Sequence, residues 1–307
     1  MKICVVIATY RRAWALPYSI GSLKQQTIPP DKVVFVVKPS GDESEKVIEK
    51  HAAGLNYEII FQKEGNFALA YEIGIGACKN EELILFLDDD AVASKDWIEK
   101  YRDFFHLYPE AGGASGIVYR AIVSEAGIEL KDEFFYDNSI ARSSIHRKPL
   151  PEYQNYCEWI SVSGLGGNKE CNGKTILSAL LGGVNMGFRK DAIADCPISQ
   201  LYRNSRKCLL NESALAYCAK RKGYQTYRIL DTSESPKVYH IVNTNSLTRG
   251  SGFNHEFWIY YDYARNYWRL RNLGARVSFL HYIIGMLIIS RKNPIAAIPA
   301  AILAMIK

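Results

Sequence analysis

Three consecutive carboxylates, Asp88, Asp89 and Asp90, follow the apolar run LILFL at residues 83–87. The run predicts a strand that is buried on both faces of a sheet. Open α/β sheets bind ligands beyond the carboxyl ends of their strands, which is where these side chains would lie. Adjacent carboxylates raise one another's pKa unless a cation lies between them. A hard divalent ion takes oxygen ligands and commonly also holds substrate phosphates, so the triplet predicts a Mg²⁺ or Mn²⁺ site.

A helix cap is the structural alternative for these carboxylates. Asp90 or Ser94 could begin the helix that the pattern predicts over residues 94–107, because Asp and Ser are favoured at that position. A cap requires one such side chain and leaves the other carboxylates unexplained. We therefore favour the metal site.

The elements that must position the carboxylates alternate in type along the first half of the chain. Strands are predicted at 3–8, 32–37, 57–61 and 83–87, and helices at 14–26, 42–53, 66–79 and 94–107. This alternation indicates right-handed βαβ units and a mostly parallel sheet. Residues 124–175 show no sustained period, as is typical of an insertion or of binding loops. A helix at 209–222 and a strand at 224–230 are predicted beyond them.

Composition limits the functions that the chain can have. Its 307 residues are 48% hydrophobic and 23% charged, which is typical of a globular protein and excludes wholesale disorder. The seven cysteines form no CxxC pair and no zinc spacing, so we predict reduced, mostly buried thiols in a cytosolic protein.

Positive charge is concentrated near the C-terminus. Residues 237–307 contain nine Lys and Arg but only two acids, within a net charge of +6 for the whole chain. This distribution argues against a nucleic-acid groove and for contact with a local anionic surface.

The C-terminal segment combines aromatic, basic and apolar stretches. Residues 257–271 interleave aromatic side chains with arginines, and two apolar runs follow at 277–289 and 295–306. Each run is too short to cross a bilayer core, which requires about 20 residues. With Arg291 and Lys292 between them, the runs predict helices that lie in the interface of an anionic membrane. The alternative is a terminal helix that packs over the core.

Six motifs occur in an order that resembles a known family. They are ICVVIATYRR at the N-terminus, QQTIPP at 25–30, GNFALAYEIGIG at 65–76, LILFLDDD at 83–90, GGVNMGFRK at 182–190 and NESALAYCAKRKGY at 211–224. Together they resemble the family-2 glycosyltransferases, which transfer sugars from nucleotide-sugar donors. The resemblance implies an α/β catalytic domain of the Rossmann-like GT-A fold over residues 1–240. An amphipathic, membrane-associated helical extension would follow at 241–307.

The resemblance also implies roles for the residues of the first three motifs. The turn after the first strand would contact the nucleoside through Thr9 and Tyr10, and the diphosphate through Arg12. Asn66 would border the sugar donor. The alternative for Thr9 is a cap of the following helix, with Tyr10 simply packed against the protein.

The catalytic and metal-binding roles implied by the resemblance fall on the later motifs. Asp90 would bind the metal directly, Asp88 would contact the ribose or a metal-bound water, and Asp89 would orient the sugar or the acceptor. His240 would be a further metal ligand, or alternatively an ordinary packed histidine. Glu212 would be the general base of an inverting reaction. Its alternative is a first-turn acid that favours the helix dipole, with the preceding asparagine as the cap.

Several positions depart from the family pattern. Lys38 stands where an Asp commonly accepts a hydrogen bond from the base ring, and a lysine cannot accept one. Asp42 lies downstream and could cap its own helix. Glu72 replaces an Asn of the donor border, or else belongs to a solvated helix face. At the ED position of the family the chain carries Asn211 and Glu212.

Three further residues could contact the sugar. Asn185 could bind hydroxyl groups, and Trp159 could stack on a sugar ring or belong to the core. Arg189 could instead be a surface charge.

These residues imply a metal-dependent inverting glycosyltransferase with Mg²⁺ or Mn²⁺ as cofactor. The expected partners are a nucleotide-sugar donor, with a UDP-sugar favoured, a saccharide or lipid-linked saccharide acceptor, an anionic membrane surface and no nucleic acid. The expected location is the inner face of the cell membrane, as a peripheral cytoplasmic protein. The alternative is a catalytically inactive nucleotide-sugar or glycan-binding module of the same fold. A nucleotidyltransferase would need a Gly-rich loop with a following Lys, which ATYRR does not offer.

Overall fold

The computed structural model describes residues 1–125, 127–135, 145–242 and 252–306. The first half contains β1 (Ile3–Thr9), α1 (Leu16–Lys24), β2 (Lys32–Val37), α2 (Ser44–His51), β3 (Tyr57–Phe61), α3 (Phe67–Ala77), β4 (Leu83–Leu87), β5 (Ala91–Ala93), α4 (Trp97–Leu107), β6 (Ala111–Ser115), β7 (Ile117–Ser124) and β8 (Gly127–Phe134). The second half contains β9 (Glu158–Ile160), β10 (Gly166–Asn168), β11 (Thr175–Leu177), β12 (Asn185–Arg189), α5 (Lys190–Ile193), α6 (Ile198–Tyr202), α7 (Asn211–Arg221), β13 (Gln225–Ile229), β14 (Lys237–Ile241), α8 (Phe253–Asn272), α9 (Phe279–Ser290) and α10 (Pro294–Ile306).

The main sheet has eight strands among the described residues, in the order β11-β13-β6-β12-β4-β1-β2-β3. β1 pairs in parallel with β2 and β4, whereas β12 is antiparallel to both of its neighbours. Side chains alternate between the two faces: Val6 and Phe86 contribute to one core with α3 and α7. Val5 and Leu85 contribute to the other core with α1 and α4. Helices thus cover both faces, which confirms the predicted α/β class.

A smaller sheet, β5-β14-β7-β8, continues from the end of β4. β5 begins directly after Asp90 and pairs antiparallel with β14, so that Ala91 lies opposite His240. The Ile241 amide donates to the Asp90 carbonyl at 2.8 Å, which extends this pairing by one more bond. This small sheet therefore brings the end of β14 to the acidic triplet.

The strand predictions at 32–37, 57–61 and 83–87 are confirmed at those residues, and the predicted helices are slightly shorter than expected. The helix predicted from residue 94 begins at Trp97, after Asp96, and the Ser94 hydroxyl donates to Asp96 at 2.7 Å. Asp90 lies outside any helix terminus, so the cap alternative is wrong. The strands β5 and β6 were missed, because β5 has only three residues and β6 (AGGAS) lacks large apolar side chains.

The prediction of reduced thiols is wrong for six of the seven cysteines. Disulfides join Cys4 to Cys78, Cys157 to Cys171, and Cys196 to Cys218, and Cys208 is a free buried thiol. The paired residues lie 74, 14 and 22 positions apart, so only folding brings them together. Cysteine usage consequently gives no support to a cytosolic location.

The C-terminal helices form a layer of their own that also shares a hydrophobic core with the α/β part of the chain. Leu270 and Leu273, at the end of α8, share a core with residues of α7. α10 packs along α8 through small side chains such as Ala297 and Ala300, and the outward faces of α9 and α10 are apolar. No described helix is both long and apolar enough to cross a membrane. The division of the chain at residue 240 stays a prediction.

Candidate functional site

The end of β4, the start of β5 and the end of β14 form a cluster of potential metal ligands. His240 Nε2 lies 3.3 Å from Asp90 Oδ1 and 3.9 Å from Asp88 Oδ2. One ligand atom from each of these three residues lies within 4.8 Å of the other two. Carboxylate oxygens are ligands that Mg²⁺ and Mn²⁺ prefer, and an imidazole joins such ligands at transition-metal ions. The three residues therefore fit a divalent cation.

Burial disfavours the negative charge of Asp88 and Asp89. It raises the pKa of Asp88 to about 7, and the nearby charge of Asp90, with a smaller contribution from Glu212, acts in the same direction. Burial and the charge of Asp90 likewise raise the pKa of Asp89 well above its usual range. A nearby positive charge lowers the pKa of such carboxyl groups, and Arg12 has this effect on Asp88 and Asp89.

Arg12 reaches the triplet from the loop after β1. Its Nε lies 3.5 Å from Asp89 Oδ1, and its Nη2 lies 3.3 Å from Asp90 Oδ2. The preceding residue, Arg11, has a left-handed φ of 58°, which turns the chain sharply at this point. Thr9 ends β1, is buried, and lies beside Asp89. It caps no helix, since α1 begins only at residue 16, so that alternative is wrong.

Lys38 and Tyr10 lie together on the same side of the site. The Lys38 ammonium donates to the Gly65 carbonyl at 2.6 Å and lies 5.9 Å from the Tyr10 ring centroid. Asp42 holds the neighbouring loops instead of replacing the missing family Asp. Its carboxylate accepts from the Ala13 amide at 3.1 Å, and hydrogen bonds, that from Ser44 being the strongest, lower its pKa despite partial burial.

Glu212 lies in the first turn of α7, after a strained segment. Cys208 and Leu210 have φ values of 53° and 64°, a left-handed conformation that costs free energy for residues other than glycine. Asn211 is the first helical residue rather than the cap, and its amide donates to the Cys208 carbonyl at 2.8 Å. Burial raises the pKa of Glu212 to about 7. Glu212 Oε2 lies 3.9 Å from the position that a Cβ at Gly183 would take, so the backbone at Gly183 faces this carboxylate.

Asn66 and Glu72 make hydrogen bonds to α6 and to the loop that follows it. The Asn66 amide donates to the carbonyls of Tyr202 and Ser205 at 2.7 and 2.8 Å, while its oxygen accepts from the Ala68 amide at 3.2 Å. The Glu72 carboxylate accepts from the Ser199 amide at 2.9 Å. The solvated-face alternative for Glu72 is therefore wrong. A contact between Asn66 and the sugar donor stays a prediction.

Of the three residues that could have contacted the sugar, Asn185 and Trp159 belong to the protein interior and Arg189 is half-buried. The Asn185 amide donates to the carbonyls of Ile117 and Pro236, and its oxygen accepts from the side chains of Trp97 and Tyr101, all at 2.8–2.9 Å. It has no capacity left for a ligand. Trp159 is 5% exposed, and its indole N–H donates to the carbonyl of residue 147. It therefore belongs to the core, which was the alternative to stacking on a sugar. Arg189 binds backbone carbonyls rather than standing as a surface charge.

The acidic triplet, Arg12, His240 and Glu212 line one cleft of about 1400 Å³. It is lined by nine of the residues predicted from sequence, namely Thr9, Tyr10, Arg12, Asn66, Asp88, Asp89, Asp90, Glu212 and His240. Its wall also contains side chains that the sequence did not indicate, namely Glu158, Arg206, Lys207 and Arg228. Glu158 pairs with Arg228 across β9 and β13. The sequence pattern could not predict this ion pair, because the two residues lie 70 positions apart along the chain.

Residues 4–162, just over half of the chain, match the description "Glycosyl transferase family 2". The chain belongs to glycosyl transferase family 2. Over 144 residues it is 26% identical to the glucosyl-dolichyl phosphate glucuronosyltransferase of Haloferax volcanii. That alignment covers 44% of this chain and 44% of the Haloferax protein, so the chain matches less than half of its relative's length.

Solved structures of other glycosyltransferases share the architecture of this family member. S. aureus TarS 1–349 in complex with UDP-GlcNAc superposes with a TM-score of 0.57 at 16% identity, over 99% of this chain and 79% of TarS 1–349. The mannosyltransferase PcManGT from Pyrobaculum calidifontis, in complex with GDP-Man and Mn²⁺, gives 0.56 at 13% identity, over 99% and 73% of the two chains. At such identities the likeness concerns the fold, and it confirms the GT-A fold.

Proposed function

We propose that this chain is a metal-dependent, inverting glycosyltransferase that moves a sugar from a nucleoside-diphosphate sugar to a saccharide acceptor. The observation that supports it is that the Asp88, Asp90 and His240 cluster and the buried carboxylate of Glu212 line the same cleft. A leaving diphosphate and an acceptor hydroxyl require these two kinds of group within reach of one sugar.

Asp90 and His240 would hold Mg²⁺ or Mn²⁺, with Asp88 bound directly or through water. Such an ion, when bound, neutralises the charge that develops on the departing diphosphate. The raised pKa values of Asp88 and Asp89 support this assignment, because burying three carboxylates without a cation is unfavourable. The Mn²⁺ in the PcManGT complex is a fold-level precedent.

Glu212 would accept the proton of the acceptor hydroxyl. The freed oxygen then bonds to the anomeric carbon while the bond from that carbon to the diphosphate oxygen breaks. A nucleophile that enters opposite the leaving group inverts the configuration. A pKa of about 7 makes Glu212 a stronger base than an ordinary glutamate, yet leaves much of it ionised near neutral pH.

The wall formed by Thr9, Tyr10 and Asn66 would hold the nucleoside, with Arg12 near the diphosphate and Asp89 near the sugar. We favour a UDP-sugar, for which the TarS complex with UDP-GlcNAc is a fold-level precedent. We favour a lipid-linked saccharide as the acceptor, since the Haloferax relative is named for a glucosyl-dolichyl phosphate.

The helical extension would attach the enzyme peripherally to an anionic membrane surface. α9 and α10 contain no acidic residue, and Arg291 and Lys292 lie between them. Leu280, Leu287 and Ile295 are 67%, 63% and 76% exposed, which is costly in water and favourable in a lipid interface. In this arrangement residues 1–240 carry the donor site and residues 241–307 carry the attachment.

A donor-hydrolysis assay tests the proposed activity. The purified chain is incubated with UDP-, GDP- and dTDP-sugars and Mn²⁺, and release of the nucleoside diphosphate is measured. One donor should be turned over, and both Asp90→Ala and Glu212→Gln should abolish most of this turnover. Asp103→Asn, which removes a 61% exposed carboxylate on α4, is the matched control and should leave the rate unchanged.

A catalytically inactive nucleotide-sugar-binding module is the second candidate. Lys38 at the position of a family Asp and the Asn211–Glu212 pair favour it. A donor that raises the melting temperature while no donor is turned over would establish this candidate instead.

A further inference from the structure

The helix α8 contains a fully buried ion pair on the side that faces the loop before Glu212. Asp262 Oδ1 lies 2.5 Å from Arg269 Nη2, and the two side chains are 0% and 1% exposed. Arg269 also stacks on the Tyr202 ring, with its Cζ 3.7 Å from the centroid, and its Nε donates to the Leu201 carbonyl at 3.2 Å. Burying two charges is unfavourable unless their remaining hydrogen-bonding capacity is used.

The second oxygen of Asp262 is used by that loop. Asp262 Oδ2 accepts from the Ser205 hydroxyl at 2.8 Å and from the Leu209 amide at 3.1 Å. The Ser205 hydroxyl oxygen in turn accepts from the Cys208 amide at 2.7 Å. One carboxylate thus fixes both ends of the segment 205–209, just before the first turn of α7.

This segment requires such support because of its backbone conformation. Cys208 and Leu210 are both left-handed, a state that persists in non-glycine residues only where the surroundings impose it. Released from Asp262, the segment could relax toward ordinary φ values. Glu212 follows within two residues of Leu210, so such a relaxation would move the carboxylate.

We infer that Asp262 is a positioning residue for the general base: α8 holds Glu212 in its reactive position through the hydrogen bonds of Asp262 to Ser205 and Leu209. The inference rests on the proposed role of Glu212. It gives the C-terminal extension a part in the reaction that is separate from membrane attachment.

The test uses full-length Asp262→Asn and Ser205→Ala, each with kcat expressed per nucleotide-sugar-binding site measured by calorimetry. Asparagine keeps the size of the side chain but cannot pair with Arg269 as a charge. Ser205→Ala removes the two hydrogen bonds of the Ser205 hydroxyl, to Asp262 and from the Cys208 amide, and leaves the ion pair intact. A displacement of about 1 Å at a catalytic group costs about 100-fold. We expect kcat to fall at least about tenfold in Asp262→Asn, and less in Ser205→Ala, with the Kd of the donor unchanged.

Asn266→Ala is the matched control on the same helix. Asn266 is buried and donates to the Gly164 carbonyl at 2.7 Å, away from the loop before Glu212. Its loss should lower the melting temperature while kcat per binding site stays within about twofold of the parent value, a change too small for a lost transition-state contact.

A double-mutant cycle separates positioning from general damage. If Asp262 acts through the base, Asp262→Asn should change the residual rate of Glu212→Gln by less than about twofold. The reason is that Glu212→Gln has already removed the base that Asp262 positions. An unchanged kcat in both Asp262→Asn and Ser205→Ala would overturn the inference, as would equal losses in the parent and Glu212→Gln backgrounds. An inactive parent chain would instead refute the proposed function, so the two failures are distinct.

Discussion

Replacing Glu212 with Gln should raise the stability of the protein while removing its activity. The carboxylate has a pKa of about 7 in the folded chain against a usual value of 4.5, because burial disfavours its charge. Between these two pH values the folded state keeps a proton that the unfolded state has lost. The free energy of unfolding therefore falls as the pH rises from 4.5 to about 7, and the full penalty is present above that range.

The two pKa values set the size of the effect. At about 1.4 kcal/mol for each pH unit, the difference between 4.5 and about 7 corresponds to at most about 3.5 kcal/mol. Because the carboxylate is partly open to the cleft, water reduces this to about 1–3 kcal/mol. Glu212→Gln cannot ionise and should melt about 2–6 °C higher at pH 8, whereas parent and variant should converge near pH 4.5.

Differential scanning calorimetry at several pH values, with paired rate measurements, tests this reasoning. The rate of the parent chain should rise about tenfold per pH unit below an apparent pKa near 7 and then level off. Glu212→Gln should lose about 100- to 10,000-fold. Glu158→Gln, which removes the partner of Arg228 in the same cleft, is the control and should destabilise the chain. Equal melting temperatures for parent and Glu212→Gln at pH 8 would refute the argument.

Further predictions concern the metal cluster, the core, the helices and the cysteines. His240→Ala should raise the Mn²⁺ concentration needed for half-maximal turnover by about tenfold or more, measured by metal titration, since it removes one of the three proposed ligands. Asn185→Ala should lower the free energy of unfolding by about 3 kcal/mol or more in urea titrations, because it leaves buried groups without partners. Leu287→Glu should abolish sedimentation with anionic vesicles while donor hydrolysis persists, and unchanged sedimentation would argue against the interface proposal. Alkylation under denaturing, non-reducing conditions followed by mass spectrometry should modify one cysteine, Cys208, and seven modified residues would contradict the disulfides.

Local pattern was enough to predict the framework of the site. The run at 83–87 determined a buried strand, and its position before Asp88 placed the carboxylates at a ligand-binding edge. The alternation of strands and helices determined the parallel part of the sheet, because periodicity depends on neighbouring residues alone. The sequence around Glu212 likewise predicted its position in the first turn of a helix.

Tertiary structure alone decided which groups meet. His240 reaches Asp90 because β14 pairs with β5, a three-residue strand whose pattern carries no signal. Asn185 is an interior residue because Trp97 and Tyr101 converge on it from α4. Side chains this far apart along the chain meet only through strand register and helix packing, and these depend on the whole fold rather than on any local stretch. The sequence therefore determined where the chemistry could lie, and the packing determined which residues share the cleft.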